Sequence, residues 1–67
     1  MRRRPVNSSS IRSVGWSAGT LELEYVNGSV YQYFDVAQPT YAALMAAASI
    51  GAYVNREIKP KYRCREL

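Results

Sequence analysis

A chain of 67 residues has room for a single domain, and its 48% hydrophobic and 21% charged residues are typical of a folded domain rather than a disordered segment. With no histidine and one cysteine, Cys64, the chain is expected to form neither an internal disulfide nor a Cys/His zinc site, and we predict no metal and no cofactor. The net charge of +4 favours an anionic partner, nucleic acid first.

The first ten residues, MRRRPVNSSS, carry positive charge as a signal peptide does, but no apolar segment follows them. The longest apolar run, residues 41–54, is rich in alanine and shorter than the roughly 20 residues that a membrane-spanning helix requires. These features predict a cytoplasmic protein that does not associate with a membrane.

Three strands are predicted in the first half of the chain. The stretch SSIRSVGW, residues 9–16, mixes apolar and small residues, and the following SAGT supplies a turn at Gly19. In TLELEY, residues 20–25, two leucines and a tyrosine alternate with Glu22 and Glu24, which is the pattern of a half-buried strand with its glutamates in solvent. An Asn-Gly pair then predicts a hairpin into a third strand, VYQYF.

The position of two tyrosines depends on the register of this hairpin, because a slip of one residue moves a side chain to the other face. A two-residue Asn-Gly turn would place Tyr31 and Tyr33 opposite the glutamates. A three-residue loop with Gly28 in the left-handed conformation would place them opposite Leu23 and Leu21 instead. We prefer the second register because it separates polar from apolar side chains.

Two short helices are predicted after the strands. The first, within residues 38–49, has proline near its start and a stripe at helical spacing, formed by Tyr41, Leu44, Met45 and Ala48. The second begins at Ser49 as its cap and ends at Pro60, with one apolar face formed by Ile50, Tyr53, Val54 and Ile58. The basic tail KYRCREL adds an edge strand or stays loose.

These elements predict a small α+β domain, a three-stranded antiparallel β-meander packed on one face by two short C-terminal helices. The single domain spans residues 1–67. No catalytic constellation is visible in it: Glu22 and Glu24 point the same way about 7 Å apart, but no nucleophile, histidine or phosphate-binding loop accompanies them. We predict that the chain is not an enzyme.

Several short motifs together resemble the KTSC domain family: SSI at 9–11, GW at 15–16, LELEY, YQY at 31–33 and SIGAYVNREIK at 49–59. The family is named for a segment at the C-terminus of some lysyl-tRNA synthetases and also occurs as small proteins of bacteria and phages. The likeness covers about residues 6–63 and divides the chain into a basic N-terminal arm 1–8, a KTSC-like core 9–63 and a tail 64–67. AQP at 37–39 and Trp16 depart from the common family pattern without altering the expected fold.

The resemblance implies RNA binding, as suggested by the occurrence of the family on synthetases, and the charge distribution agrees with it. Both ends of the chain are basic, whereas residues 20–35 carry only acidic charges. We predict a nucleic-acid-binding accessory domain, RNA before DNA, whose phosphate contacts are Arg2, Arg3, Arg4, Arg12, Arg56, Lys59, Lys61, Arg63 and Arg65. The alternative is an interaction module that docks on another protein without binding nucleic acid.

A second candidate is an anion site at Ser49 and Gly51, where a helix N-terminus presents free amides. The alternative for these two residues is a helix cap and a close approach of helix to sheet. The aromatic residues are interpreted as packing groups first, and they are Trp16, Tyr31, Tyr33 and Tyr53. For Tyr31 and Tyr33 the alternative is a platform on which the bases of a single-stranded nucleic acid stack. A ligand is expected at the start of the second helix and along the basic tail, with the tyrosine pair as its floor.

Overall fold

The computed structural model describes residues 1–67, in which five antiparallel strands form one sheet in chain order and two helices cover one of its faces. The strands are β1 (Arg4–Pro5), β2 (Ile11–Ser17), β3 (Thr20–Tyr25), β4 (Val30–Tyr33) and β5 (Cys64–Glu66). The helices are α1 (Gln38–Ala46) and α2 (Ile50–Tyr53), and α2 continues directly into a π-helical segment (Val54–Ile58).

The α+β class is confirmed, but the prediction of three strands is wrong because the sheet has five. The arm contributes β1, which pairs with β2, and the tail contributes β5, which pairs with β4. Both added strands are short, at two and three residues, and all of their residues are exposed. A strand of this kind is held by backbone hydrogen bonds and leaves no alternating pattern in the sequence.

The two central hairpins have the turns that the sequence predicts. Between β2 and β3, Ala18 and Gly19 have φ values of 49° and 88°, as in the mirror-image turns that match strand twist. Between β3 and β4, Gly28 has a φ of 94° and closes a three-residue loop, across which the Tyr25 N–H donates to the Ser29 carbonyl at 2.8 Å. The preferred register is therefore confirmed: Tyr31 lies opposite Leu23 and Tyr33 opposite Leu21.

The core lies between the helices and the face of the sheet that carries the alternating apolar residues of β2, β3 and β4. It consists of Ile11, Val14, Leu21, Leu23, Tyr33, Val36, Leu44, Val54 and Ile58. In α1, Leu44 is fully buried and Tyr41 and Met45 are partly buried, as predicted. Ala48 is an exception: it is exposed and lies outside the helix, because the extended backbone of Ala47 ends α1.

The second predicted helix is present, although its last turns are wider than those of an α-helix. The Lys59 N–H donates to the Val54 carbonyl at 2.9 Å, five residues back, and Val54 and Ile58 both face the core. Pro60 follows directly, in agreement with the predicted end. None of the helices has the length and apolar character needed to span a membrane.

The outer face of the sheet differs from the expectation that its glutamates lie in solvent, since Glu22 is only 5% exposed. The first three residues cross this face, and a Cβ atom at Gly15 would lie 2.7 Å from the Arg2 carbonyl oxygen. Arg3 pairs with Glu22 and also donates from Nε to Ser13 Oγ at 2.9 Å. The charged N-terminal arm therefore buries the Glu22 carboxylate, whereas the alternating pattern of β3 by itself predicts that this carboxylate lies in water.

Hydrogen bonds keep Glu22 charged in this position. Gln32 Nε2 donates to Glu22 Oε1 at 3.0 Å from the opposite strand. Burial by itself raises the pKa of Glu22, but the hydrogen bonds from Gln32 and Arg3 and the positive charge of Arg3 outweigh burial, so that the pKa is lowered overall. Arg3, predicted as a phosphate contact, is thus engaged within the fold.

Candidate functional site

A cleft with a volume of about 500 Å³ opens on the helix-facing side of the sheet, at the end of the molecule that holds the β3–β4 hairpin. Its aromatic floor is formed by Tyr25, Tyr31 and Tyr33. Strand alternation places these rings together, because Tyr31 and Tyr33 are two residues apart on β4 and Tyr25 lies on the same face of β3. The helices cover the rest of this face and leave the cleft uncovered.

The three tyrosines contact one another through both their rings and their hydroxyls. The Tyr25 and Tyr33 hydroxyl oxygens are 2.8 Å apart in a hydrogen bond, and Tyr33 is only 3% exposed. The Tyr25 and Tyr31 rings meet edge to face with centroids 5.6 Å apart. The Tyr31 hydroxyl donates to Glu66 Oε1 at 3.2 Å, and its half-buried ring is accessible from the cleft.

These environments keep all three hydroxyls protonated. Burial, followed by the hydrogen bond with Tyr25, raises the pKa of Tyr33 well above its ordinary value of 10. Burial likewise raises the pKa of Tyr25, whereas the pKa of Tyr31 is raised by its hydrogen bond to the Glu66 carboxylate. The cleft therefore presents neutral aromatic groups at physiological pH.

The hairpin loop forms one rim of the cleft. Val26 is 45% exposed there, and Asn27 and Ser29 stand beside it. Asn27 Oδ1 accepts from the Ser29 N–H at 3.0 Å, which fixes the side-chain amide and leaves its amino group free to donate. Arg12 reaches the same loop, with Nη2 donating to the Val26 carbonyl at 3.0 Å.

The opposite rim is formed by the end of the π-helical segment and by β5. Lys59 Nζ lies 5.3 Å from the centroid of the Tyr25 ring, within the range of a cation–π contact. Cys64, opposite Tyr33 in the sheet, is an exposed free thiol in the lining. The cleft thus has aromatic walls and one cation, Lys59, in its lining.

The structure divides the nine predicted phosphate contacts into two groups. Four are paired with carboxylates: Arg3 with Glu22, Arg56 and Lys61 with Glu57 at 3.1 and 2.6 Å, and Arg63 with Asp35 at 3.8 Å. Five are exposed and have no carboxylate within 4 Å, namely Arg2, Arg4, Arg12, Lys59 and Arg65. The second group is free to neutralise an external anion.

The two basic ends of the chain do not meet. β1 and β5 are the opposite edges of the sheet, and four strand spacings separate them by roughly 19 Å. Arg4 and Arg65 are consequently on different sides of the molecule. Of the five unpaired cations, Lys59 is the one that lines the cleft, and Arg12 contacts the hairpin loop at Val26.

The start of α2, the other predicted ligand position, lies outside the cleft lining. Ser49 Oγ accepts from the Ala52 N–H at 3.2 Å and so acts as the helix cap. A Cβ atom at Gly51 would lie 2.3 Å from Ser10 Oγ, so Gly51 permits a close approach of α2 to the residues before β2. These are the contacts expected if Ser49 serves as a helix cap and Gly51 allows the helix to pack closely.

The other aromatic residues are engaged in packing. Trp16 Nε1 donates to the Val36 carbonyl at 2.8 Å, and its ring stacks on Tyr41 with centroids 5.9 Å apart. Tyr53 packs against the core from α2, with the Arg56 guanidinium 5.8 Å from its ring centroid. Both residues lie away from the cleft lining.

Two contributors to the cleft are absent from the predicted sites: Tyr25, interpreted only as a strand residue, and Cys64, interpreted as a tail cysteine. Lys59 is among the predicted phosphate contacts, but its place beside the tyrosines is not predicted. A signal for Tyr25 was present, since the preferred register places it on the same face as Tyr31 and Tyr33. Lys59 and Cys64 reach the cleft only through the π-helical segment and β5. No three Cys, Asp or Glu side chains come close enough to hold a metal ion.

Comparison with known proteins places this architecture in one family. The model of the KTSC domain matches residues 7–62. A protein of Tsukamurella paurometabola is 36% identical over 62 residues, which cover 90% of this chain and 92% of that protein. An uncharacterized protein of Stutzerimonas stutzeri is 36% identical over 64 residues, covering 92% and 90%.

A solved structure shows the same fold along almost the whole chain. The crystal structure of a KTSC domain protein from Yersinia pestis superposes with a TM-score of 0.92 at 35% identity, and covers 98% of this chain and 96% of that one. The sequence motifs, the family model and the shared fold agree, and the chain belongs to the KTSC domain family.

Proposed function

We propose that this chain binds nucleic acid, RNA in preference to DNA, through phosphate contacts from its unpaired arginines and lysines. The observation that supports the proposal is that five of the nine basic side chains are exposed and have no carboxylate partner. A free cation that neutralises a phosphate releases condensed counterions, and this release supplies affinity without any need for a particular base sequence. A cation already paired with a carboxylate contributes less.

The preference for RNA rests on the family's occurrence at the C-terminus of some lysyl-tRNA synthetases. These 67 residues would act as an accessory binding domain. Its phosphate contacts are assigned first to Lys59, which lines the concave part of the surface, and to Arg12, which contacts the hairpin loop at Val26. Arg2, Arg4 and Arg65 extend the positive surface toward the two sheet edges.

Two lysines close in sequence provide a matched test. Lys59 has no carboxylate partner, whereas Lys61 Nζ donates to Glu57 at 2.6 Å. Binding of a labelled RNA decamer is measured by fluorescence anisotropy between about 50 and 200 mM NaCl, where each neutralised phosphate of a single strand adds about 0.7 to the slope of log affinity against log salt. We expect Lys59→Gln to reduce the slope by about 0.7.

Lys61→Gln removes the same charge but leaves Glu57 paired with Arg56, and we expect it to leave the slope unchanged. The same decamer made as DNA should bind more weakly. Binding that does not depend on salt, or no binding of the decamer at all, would contradict the proposal.

The alternative function, docking on another protein, is favoured by one observation. β1 and β5 each have a single neighbour in the sheet, so their outer backbone groups are open to pairing with a strand from a partner. The exposed large apolar residues do not form one patch, because Met1 lies over Gly15 on β2, Val26 lies in the β3–β4 loop and Leu67 follows β5. A tagged pull-down with and without nuclease separates the two functions, since protein partners retained after nuclease support docking.

A further inference from the structure

We propose that the cleft formed by Tyr25, Tyr31 and Tyr33 holds one unstacked base of a single-stranded RNA, with a neighbouring phosphate on Lys59. The inference rests on the proposed function and names the part of the nucleic acid that this surface would recognise. It assigns the ligand to the tyrosines themselves, which the sequence favoured as packing groups and offered as a stacking surface only in second place.

The size and the chemistry of the cleft fit a base. Its volume of about 500 Å³ lies within the range of roughly 300–1,000 Å³ that is typical of small-molecule sites. Protonated tyrosines at its floor offer π-faces without charge, and stacking on such faces is how many proteins hold single-stranded nucleic acid. A phosphate alone would gain little from these walls.

The hydroxyls at the floor leave the Tyr31 ring as the stacking surface. The Tyr25 and Tyr33 hydroxyls satisfy each other, so neither requires a ligand. The Tyr31 hydroxyl is held by Glu66 at the outer end of the cleft, which fixes the ring while leaving it half exposed. On the rim, the amino group of Asn27 is free to donate to the edge of a base.

The charge beside the cleft suits a sugar-phosphate backbone. Lys59 lines the cleft and has no carboxylate partner, and Arg12, which is also unpaired, contacts the hairpin loop at the Val26 carbonyl. A base inside the cleft would therefore have the Lys59 cation available for a flanking phosphate. A duplex cannot present a base in this manner without unstacking it, so single strands should be preferred.

Cys64 allows occupancy of the cleft to be measured directly, because it is the only cysteine, is exposed and lines the cleft. The full chain is treated with N-ethylmaleimide, a neutral reagent, alone and with a uridine decamer at ten times its measured Kd. We expect alkylation of Cys64 to slow about tenfold, because only the unoccupied protein reacts. An abasic ribose-phosphate decamer of equal charge and the decamer in duplex form should give no such protection.

Substitutions at the floor provide a second readout. Tyr31→Leu removes the stacking surface and should weaken binding of the uridine decamer about tenfold. Tyr31→Phe keeps the ring, loses only the hydrogen bond to Glu66, and should bind like the wild type. Tyr53→Leu, an aromatic substitution outside the cleft, should have no effect on affinity. Thermal unfolding of each variant checks that it folds.

The outcomes distinguish this inference from the proposed function. If the uridine decamer binds with the expected salt dependence but Cys64 reacts at its free rate, the base is not in the cleft and the inference is wrong, while phosphate binding stands. Equal protection by the abasic decamer also overturns it. If no RNA binds under any condition, the proposed function itself fails.

Discussion

Gly51 and Ser10 show how a single missing side chain positions a helix. Glycine within a helix costs about 1 kcal/mol relative to alanine, so its presence in α2 calls for a local reason. The reason is the Ser10 hydroxyl, which would lie 2.3 Å from a Cβ atom at position 51. The Ser10 Cβ atom would be 3.6 Å away, at ordinary contact distance, so the conflict arises from the hydroxyl alone.

This geometry predicts an interaction between substitutions at the two positions. In the wild-type background, Gly51→Ala should fail to stabilise the chain, because the gain in helix propensity is offset by the contact with Ser10 Oγ. In a Ser10→Ala background the same substitution should raise the free energy of unfolding by about 1 kcal/mol. Urea unfolding of the four proteins in the double-mutant cycle measures the coupling, and equal effects of Gly51→Ala in both backgrounds would contradict it.

At the scale of elements, the N-terminal arm is a structural part of the sheet. It adds β1 at one edge and crosses the outer face so closely that Gly15 has no room for a side chain. Arg3 then reaches Glu22 on β3, nineteen positions away in the sequence. The arm is therefore both an edge strand and the source of the cation that makes burial of Glu22 possible.

Loss of the arm and substitution of Gly15 should have the same consequence. A variant in which a single methionine replaces residues 1–3 removes the cation of Glu22 together with the segment that covers it, and should be less stable by about 2 kcal/mol. Gly15→Ala in the full chain should cost a similar amount, because the added methyl group displaces the Arg2 carbonyl. Combining the two changes should cost no more than the truncation alone. Chemical denaturation checks this, and additive losses would show that Gly15 acts independently of the arm.

At the scale of the whole molecule, charge is arranged in two different ways. On the outer face, Arg3, Glu22, Gln32 and Arg65 form a hydrogen-bonded row across the sheet, which joins the two edges. On the helix-facing side, the tyrosines form a protonated cluster next to an unpaired lysine. The first arrangement stabilises the fold, while the second offers a surface to a ligand.

These two groups predict opposite pH limits of stability. The pKa of Glu22 is lowered from 4.5, so its carboxylate contributes stability above that pH that is lost as the pH falls. The pKa of Tyr33 is raised from 10, so its protonated hydroxyl contributes stability below that pH that is lost as the pH rises. The free energy of unfolding should therefore be greatest between about pH 5 and 9.

Two variants test whether Glu22 sets the acid limit of stability and Tyr33 the alkaline limit. Unfolding in urea is followed by circular dichroism at each pH. Glu22→Gln should lower stability at neutral pH and flatten the decline on the acid side without changing the alkaline side. Tyr33→Phe should flatten the decline on the alkaline side only. An acid decline of unchanged steepness in Glu22→Gln would show that other carboxylates control it.

The sequence by itself determined the α+β class, the central hairpins and their register, most of the two helices and the family. Local sequence patterns predict these features. They are the strict alternation in β3, the glycine at a left-handed position in the hairpin loop, and the apolar residues at helical spacing around Leu44 and Ile58. Each pattern has a direct physical cause within a few residues of the chain, so it can be read without a tertiary structure.

The tertiary structure alone decided the edge strands, the burial of Glu22 and the position of the cleft. The edge strands depend on backbone hydrogen bonds that any sequence can make, and the pairing of Arg3 with Glu22 joins residues far apart in the chain. The cleft needs Tyr25 from β3, Lys59 from the end of the helix and Cys64 from β5 in one place. Contacts between elements that are distant in sequence have no local pattern, and only the folded chain brings them together.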